Sequence, residues 1–147
     1  LITKGLGPTE AIIIAALIEG SAALRSLDLE GCNIGPTGAA AIAEALKSER
    51  AVLSSIDVGF NQLDEETALS IVRAARQHDR MTNLGLAQCK IGPTGATVIA
   101  EYIRGSAVLN KCDMRSNGIY GEAEAALRRA VKGKAGFELL VCLPPLV

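Results

Sequence analysis

Aromatic residues are nearly missing from this chain of 147 residues: Phe60, Tyr102, Tyr120 and Phe137 are the whole complement, and there is no tryptophan. Yet 49% of the residues are hydrophobic, so the apolar mass is Leu, Ile, Val and Ala. A single globular core generally draws more of its bulk from rings, whereas thin, repeated aliphatic layers do without them. The same shortage removes the stacking platforms of a single-strand nucleic-acid binder. Formal net charge is only −1, which excludes a strong overall field for nucleic acid or an acidic membrane. No apolar run is long enough to span a bilayer, and the stretch "AIIIAALI" at 11–18 is too short. No basic leader or signal peptide is legible. Cys32, Cys89, Cys112 and Cys142 form no CxxC pair and lie near no histidine. Neither a zinc site nor a secreted disulfide framework is implied, so free buried thiols in an intracellular, cytoplasmic setting are expected.

What is present is repetition. "IGPTGA" occupies 34–39 and again 91–96, with "LGPTEA" at 6–11. The larger unit reads "LRSLDLEGCNIGPTG" from Leu24, "LSSIDVGFNQLDEET" from Leu53, "MTNLGLAQCKIGPTG" from Met81 and "LNKCDMRSNGIYGEA" from Leu109, at steps of 29, 28 and 28. One more step of 28 lands on "FELLVCL" at Phe137. Self-similarity at this period marks a solenoid in which each unit hides its apolar side only against its neighbour. The expected organisation is one domain over 1–147: a clipped repeat 1–23, repeats 24–52, 53–80, 81–108 and 109–136, and a terminal strand 137–147.

Each repeated letter has a physical reading. Strand alternation turns two residues per repeat inward: Leu27 and Leu29, Ile56 and Val58, Leu84 and Leu86, Cys112 and Met114. The position after the strand reads Cys32, Asn61, Cys89, Asn117. Asn61 and Asn117 are expected to turn in and satisfy backbone groups that the bend leaves unpaired, with cysteine filling the same slot less completely. A returning helix then carries an inner stripe at i, i+4 spacing: Ile14, Ile42, Ile71, Ile99, Leu127 and, four on, Ile18, Leu46, Ala75, Ile103, Val131. In "GPTG", Gly35 and Gly92 let the chain turn out of the strand and Pro36 and Pro93 suit the first helical position. Gly38 and Gly95 allow close helix packing, and Asp64 is the expected N-cap in the repeat that lacks the motif. A phosphate-binding loop would need Lys followed by Ser/Thr and would occur once, so this glycine motif is read as punctuation.

The pattern L-x-x-L-x-L-x-x-N/C-x-I/L resembles that of leucine-rich repeats, and its length and Cys/Asn alternation resemble the ribonuclease-inhibitor-like subfamily. Repeats such as "IGPTGAAAIAEALK" look like those of NOD-like receptor arms and Ran GTPase-activating proteins. The resemblance implies an α/β leucine-rich repeat solenoid, with a curved parallel β-sheet on the concave side and α-helices on the convex side. It also implies a protein–protein interaction scaffold that takes its partner through the concave sheet, its rim or its uncapped ends. The alternatives are a structural subunit of a larger multiprotein complex and a regulator of a small GTPase; Arg25 and Asn33 stand in suggestive loop positions for the latter, without a matched constellation.

The outward strand residues map the concave face: Ser26, Asp28, Glu30; Ser55, Asp57, Gly59; Asn83, Gly85, Ala87; Lys111, Asp113, Arg115. Asp28, Glu30 and Asp57 make one end acidic, with Asp28 and Asp57 as lateral neighbours. Two readings of this face stand: a solvated polar surface, the default for a half-buried sheet, and a docking patch for a cationic segment of a protein partner. Candidate contact residues are Asp28, Glu30, Asp57, Asn83, Lys111, Asp113 and Arg115, with Phe60 on the rim, where it is read either as an anchor or as packed on a neighbouring loop.

The last strand breaks the rule. Leu139, Val141 and Leu143 would point outward where other repeats are polar. Either something covers them, including a contact through the uncapped C-terminal strand, or the register fails there. Leu1 falls at a repeat's second core position and no polar cap is legible at either end, so a piece of a longer protein or a subunit within an assembly is expected. Arg73, Arg76, Arg128, Arg129, Lys132 and Lys134 read as a solvated helical face. His78, the sole histidine, lies far from any cysteine in the repeat register, and an open arc excludes water poorly around Asp28 and Asp57. No catalysis, cofactor, metal or specific nucleic-acid site is expected.

Overall fold

The computed structural model describes residues 5–141. Helices and strands alternate strictly: α1 (Pro8–Gly20), β1 (Ser26–Asp28), α2 (Gly35–Leu46), β2 (Ser55–Asp57), α3 (Glu65–His78), β3 (Asn83–Gly85), α4 (Pro93–Gly105), β4 (Lys111–Asp113), α5 (Gly121–Val131) and β5 (Glu138–Leu140). The strands form one sheet in chain order, every pair parallel. α2 to α5 are the crossovers that parallel pairing requires.

The inward residues of β1 to β4 behave as their alternation predicts: Leu27, Leu29, Ile56, Val58, Leu84, Leu86, Cys112 and Met114 are all buried. The helix stripe meets them from the other side, with Ile42, Ile71, Ile99, Ile103 and Leu127 fully enclosed, and Val131 packs at its edge. Cys32, Cys89 and Cys112 are buried thiols, none in a disulfide; Cys142 lies outside the described residues.

Asn61 and Asn117 explain the Cys/Asn alternation. Asn61 Oδ1 accepts the Ile34 N–H at 3.1 Å, and Nδ2 donates to the carbonyls of Leu29, Val58 and Gly59 at 2.7, 3.0 and 3.0 Å. Asn117 repeats this one pair of units on, accepting from Cys89 and Ile91 N–H and donating to the carbonyls of Leu86, Met114 and Arg115. Each asparagine thus serves its own bend and the preceding one. The unit in front of it therefore needs only a small apolar plug, which Cys32 and Cys89 supply.

The helix starts are punctuated as the motif suggests, though by different devices. Pro93 is the first residue of α4, while α2 opens one residue earlier, on Gly35. Asp64 caps α3, its Oδ1 accepting from the Thr67 N–H at 2.8 Å. At α4 the part-buried Gly92 N–H donates to Glu65 Oε2 of the preceding helix at 2.6 Å. The anion that a helix N-terminus attracts is here a carboxylate of the chain itself. Gly38 lets α2 lie tight on α1: a methyl carbon there would stand 2.7 Å from the Ala11 Cβ. By contrast α3 and α4 approach least closely of the neighbouring helices. Tyr102 accounts for this, because its buried ring stands where α2, α3 and α5 have Ala45, Ala74 and Ala130.

The final strand corrects one expectation. β5 pairs with β4 as Lys111↔Glu138, Cys112↔Leu139 and Asp113↔Leu140, so the last step is 27 residues rather than 28. A one-residue slip exchanges the faces of a strand. Leu139 and Val141, expected to point outward, instead pack against the core, and Leu140 is the one that joins the concave surface. Leu143 lies outside the described residues.

Candidate functional site

The concave face of the sheet forms an open cavity of about 370 Å³. Asp28, Glu30, Asp57, Asn83, Lys111, Asp113 and Arg115, the residues expected there, all line it, joined by Leu140. Phe60 does not line it. It stands beyond the end of β2, 41% exposed, with a left-handed φ of 56° at the bend position that Gly31, Gln88 and Ser116 hold with the same sign of φ. Its N–H donates to the Ala87 carbonyl at 3.0 Å, so the backbone is held by the next repeat while the ring faces solvent.

The charges on this face are not equivalent. Arg115 grips Asp113 with two bonds, Nε to Oδ1 at 2.9 Å and Nη2 to Oδ2 at 2.7 Å, and Lys111 lies 3.5 Å from Glu138. Burial alone would push the Asp113 carboxyl up, but the Arg115 guanidinium and backbone N–H outweigh it and hold the group below the usual carboxylate range. Both cations of the face are therefore already engaged within the molecule. The sequence does not disclose the Glu138 partnership, because it depends on the short last step.

At the other end the balance is reversed. Asp28 and Asp57 are register partners, and Asp28, Glu30 and Asp57 each offer a carboxylate oxygen within 4.8 Å of the others. Asp57 Oδ1 accepts the Gly59 N–H at 2.8 Å and Asp28 Oδ1 accepts the Glu30 N–H at 3.0 Å. These bonds fix the carboxylates without neutralising them. Among the described residues no basic side chain forms an ion pair with any of the three. Burial, and then the charges of Glu30, Asp28 and Asp113, push the Asp57 carboxyl above its ordinary range, although the Gly59 N–H pulls the other way. Gly85 lets Asp57 lie flat on the sheet: an added methyl carbon would stand 2.5 Å from its Oδ2. The absence of a side chain on β3 is thus part of how the acidic end is shaped.

The remaining candidates resolve into structural roles. Arg73, Arg128 and Arg129 pair with Glu66, Glu124 and Glu122 on their own helices. His78 Nε2 lies 3.0 Å from the Lys47 carbonyl oxygen and Arg80 donates to the Glu49 and Ala51 carbonyls, so both tie one repeat's loop to the previous one. Burial pushes the Cys89 and Cys112 thiols up to about 12, which removes them as nucleophiles in the folded state.

Comparison with known proteins agrees with this architecture. The family profile described as "Leucine Rich repeat" matches residues 21–43. Human "NACHT, LRR and PYD domains-containing protein 13" is 26% identical over 109 residues, covering 74% of this chain and 10% of that protein. Protein 5 of the same designation, from Bos taurus, is 24% identical over 116 residues, covering 75% of this chain and 11% of that protein. The chain thus spans about a tenth of the length of the curated relatives it matches. Among solved structures, the tropomodulin C-terminal domain of Caenorhabditis elegans superposes with a TM-score of 0.71 at 11% identity, over 95% of this chain and 84% of that one. "Leiomodin-1 Actin-Binding Site 2" gives 0.66 at 16% identity, over 90% and 82%. At these identities the structural likeness is one of fold. No helix among the described residues is long and apolar enough to cross a membrane.

Proposed function

We infer that this chain, a leucine-rich repeat protein of the ribonuclease-inhibitor-like type, is a scaffold that holds a basic segment of a protein partner against the acidic end of its concave sheet. The protein-binding character belongs to the repeat architecture; the place and the chemistry of the contact are the proposal. One observation carries it: the cations of the face are spent on Asp113 and Glu138, whereas Asp28, Glu30 and Asp57 crowd together with no such partner. Three close carboxylates, one of them, Asp57, pushed up first by burial and then by its neighbours' charges, gain from an incoming ammonium or guanidinium, and the pairing is strongest where the carboxylate is already partly desolvated. Phe60, held with its ring in solvent at the nearby bend, supplies an apolar contact beside the charged one. The work of the surface is recognition rather than chemistry.

Calorimetric titration with an unstructured lysine-rich peptide tests this. Binding is expected to weaken with added salt and to disappear in the double variant Asp28→Lys/Asp57→Lys, whose side chains lie on the surface of the sheet. Affinity that survives the double charge reversal sinks the proposal.

A further inference from the structure

We propose that Asn117–Gly118 is a self-modification site. Deamidation of Asn117 is blocked while repeat 109–136 is closed on repeat 81–108 and, once it has happened, keeps the two from closing again. Asparagine deamidates when the backbone nitrogen of the next residue attacks its side-chain carbonyl carbon, and a side chain on that next residue hinders the attack. Asn33, Asn61, Asn83 and Asn110 are followed by Ile, Gln, Leu and Lys; Asn117 alone is followed by glycine. The fold does not ask for that glycine. Its counterparts Asn33, Gln62 and Lys90 have left-handed φ values of 59°, 60° and 54°, the region that glycine enters without strain, yet Gly118 lies outside that region. A methyl carbon on Gly118 would meet nothing nearer than the Ile91 carbonyl oxygen at 3.8 Å, an ordinary contact. What the glycine supplies is an unhindered nitrogen beside Asn117.

The closed structure holds the reaction off. Asn117 is buried. Its Oδ1 accepts from the Cys89 and Ile91 N–H groups at 2.9 and 3.0 Å, and its Nδ2 donates to the carbonyls of Leu86, Met114 and Arg115 at 2.9, 3.0 and 3.3 Å. The bonds to Leu86, Cys89 and Ile91 reach into the preceding repeat, so the amide turns freely only when the two repeats part. The rate in the folded protein is then the rate in the open chain scaled by the fraction of time the contact is open. In the open state the Gly118 nitrogen bonds to Asn117 Cγ and gives up its proton, the Cγ–Nδ2 bond breaks and ammonia leaves. Water opens the resulting cyclic imide at either carbonyl, which yields aspartate or, with the main chain rerouted through Cγ, isoaspartate. Either product has a carboxylate where an NH₂ served three carbonyls. It donates to none of them and places a charge among them in a buried slot, so reclosure is opposed. Asn61 makes the same kind of bonds but is followed by Gln62, so the device is confined to one of the two asparagine bends.

Peptide mass spectrometry on protein incubated in mildly alkaline buffer, with and without denaturing guanidinium chloride, reads the conversion of each asparagine. In denaturant Asn117 is expected to convert first, and in native buffer about tenfold or more slowly. Gly118→Gln, which copies the Asn61–Gln62 pair, is expected to leave the guanidinium midpoint of fresh protein unchanged and to abolish the fast conversion. Converted protein, separated by ion exchange on its added negative charge, is expected to unfold at a lower midpoint than unconverted protein. Conversion as fast in native buffer as in denaturant overturns the gating, and a converted protein as stable as the original overturns the consequence. A Gly118→Gln variant destabilised as much as Asn117→Asp overturns the assignment too, and gives the glycine to the backbone instead.

Discussion

Replacing Asn61 with alanine removes one side-chain amide and disturbs four backbone groups at once. Two of the four keep another partner: the Leu29 carbonyl still accepts from Cys32 N–H at 3.2 Å and the Gly59 carbonyl from Gly31 N–H at 3.0 Å. The Ile34 N–H and the Val58 carbonyl are left with no bond among the described residues once Asn61 is gone. Asn61 is fully buried, so both orphans stay out of reach of water. Each buried, unsatisfied backbone group costs about 1–3 kcal/mol, which sets the loss at about 2–6 kcal/mol. Cys89 holds the equivalent slot in the next repeat, and its Sγ makes a single weak bond to the Ala87 carbonyl at 3.5 Å. The Cys89 N–H is held by Asn117 instead and does not notice the substitution, so Cys89→Ala loses chiefly packing, about 1 kcal/mol. Urea titrations followed by far-UV circular dichroism on the wild type and both variants measure the difference. The reasoning fails if Asn61→Ala costs no more than Cys89→Ala.

Two carboxylates of the concave face should give opposite pH dependence. Asp57 is pushed up on folding, so its unfavourable contribution is absent below the carboxylate range and sets in as pH rises through its folded pKa. Asp57→Asn, which keeps an acceptor for Gly59 N–H, should therefore stabilise the protein by about 0.2–1 kcal/mol near neutral pH, with the gain vanishing in acid. Asp113 is held down by Arg115, so its contribution is present above the ordinary carboxylate range and lost as pH falls through the folded pKa; Asp113→Asn should cost stability at neutral pH and progressively less in acid. Melting temperatures across the acid range test both, and parallel curves for the two variants would contradict the charge assignment. The Tyr102 hydroxyl is buried without a hydrogen-bond partner among the described residues. Tyr102→Phe should accordingly raise the unfolding free energy by about 1 kcal/mol, and a drop in the urea midpoint would show that the hydroxyl is satisfied.

Much of the fold is legible in one dimension because each repeat reuses the same local physics. Period-two alternation places Leu27, Ile56 and Leu84 on the inner side of parallel strands, and i, i+4 spacing places Ile14 through Leu127 against them. Asp64 as a cap and Asn61 and Asn117 as inward amides follow from residue chemistry at positions that recur. The residues that β1 to β4 give the concave face are legible for the same reason, since a residue facing away from the core in one of these repeats faces away in the others.

Other features depend on distances between residues about 28 positions apart, and no local pattern reports them. Sequence places Lys111 and Arg115 on the concave face as available cations, with Asp113 two residues from Arg115 and paired to it; only the folded sheet brings Glu138 beside Lys111, so that neither cation is left to pair with the acidic end. The last strand shows the limit most sharply. Leu139 and Leu140 are chemically alike, so composition does not decide which faces the core, and a step of 27 in place of 28 exchanges them. That choice is made by the hydrogen bonds of β5 to β4 together with the packing of Leu139 and Val141 on the core. By itself, then, the sequence determined the repeating unit and the set of side chains each face has to offer, because those rest on periodicities a few residues long. Tertiary structure alone decided that Glu138 neutralises Lys111 and which leucine of the last strand faces the core, because those depend on what the neighbouring repeat brings within reach.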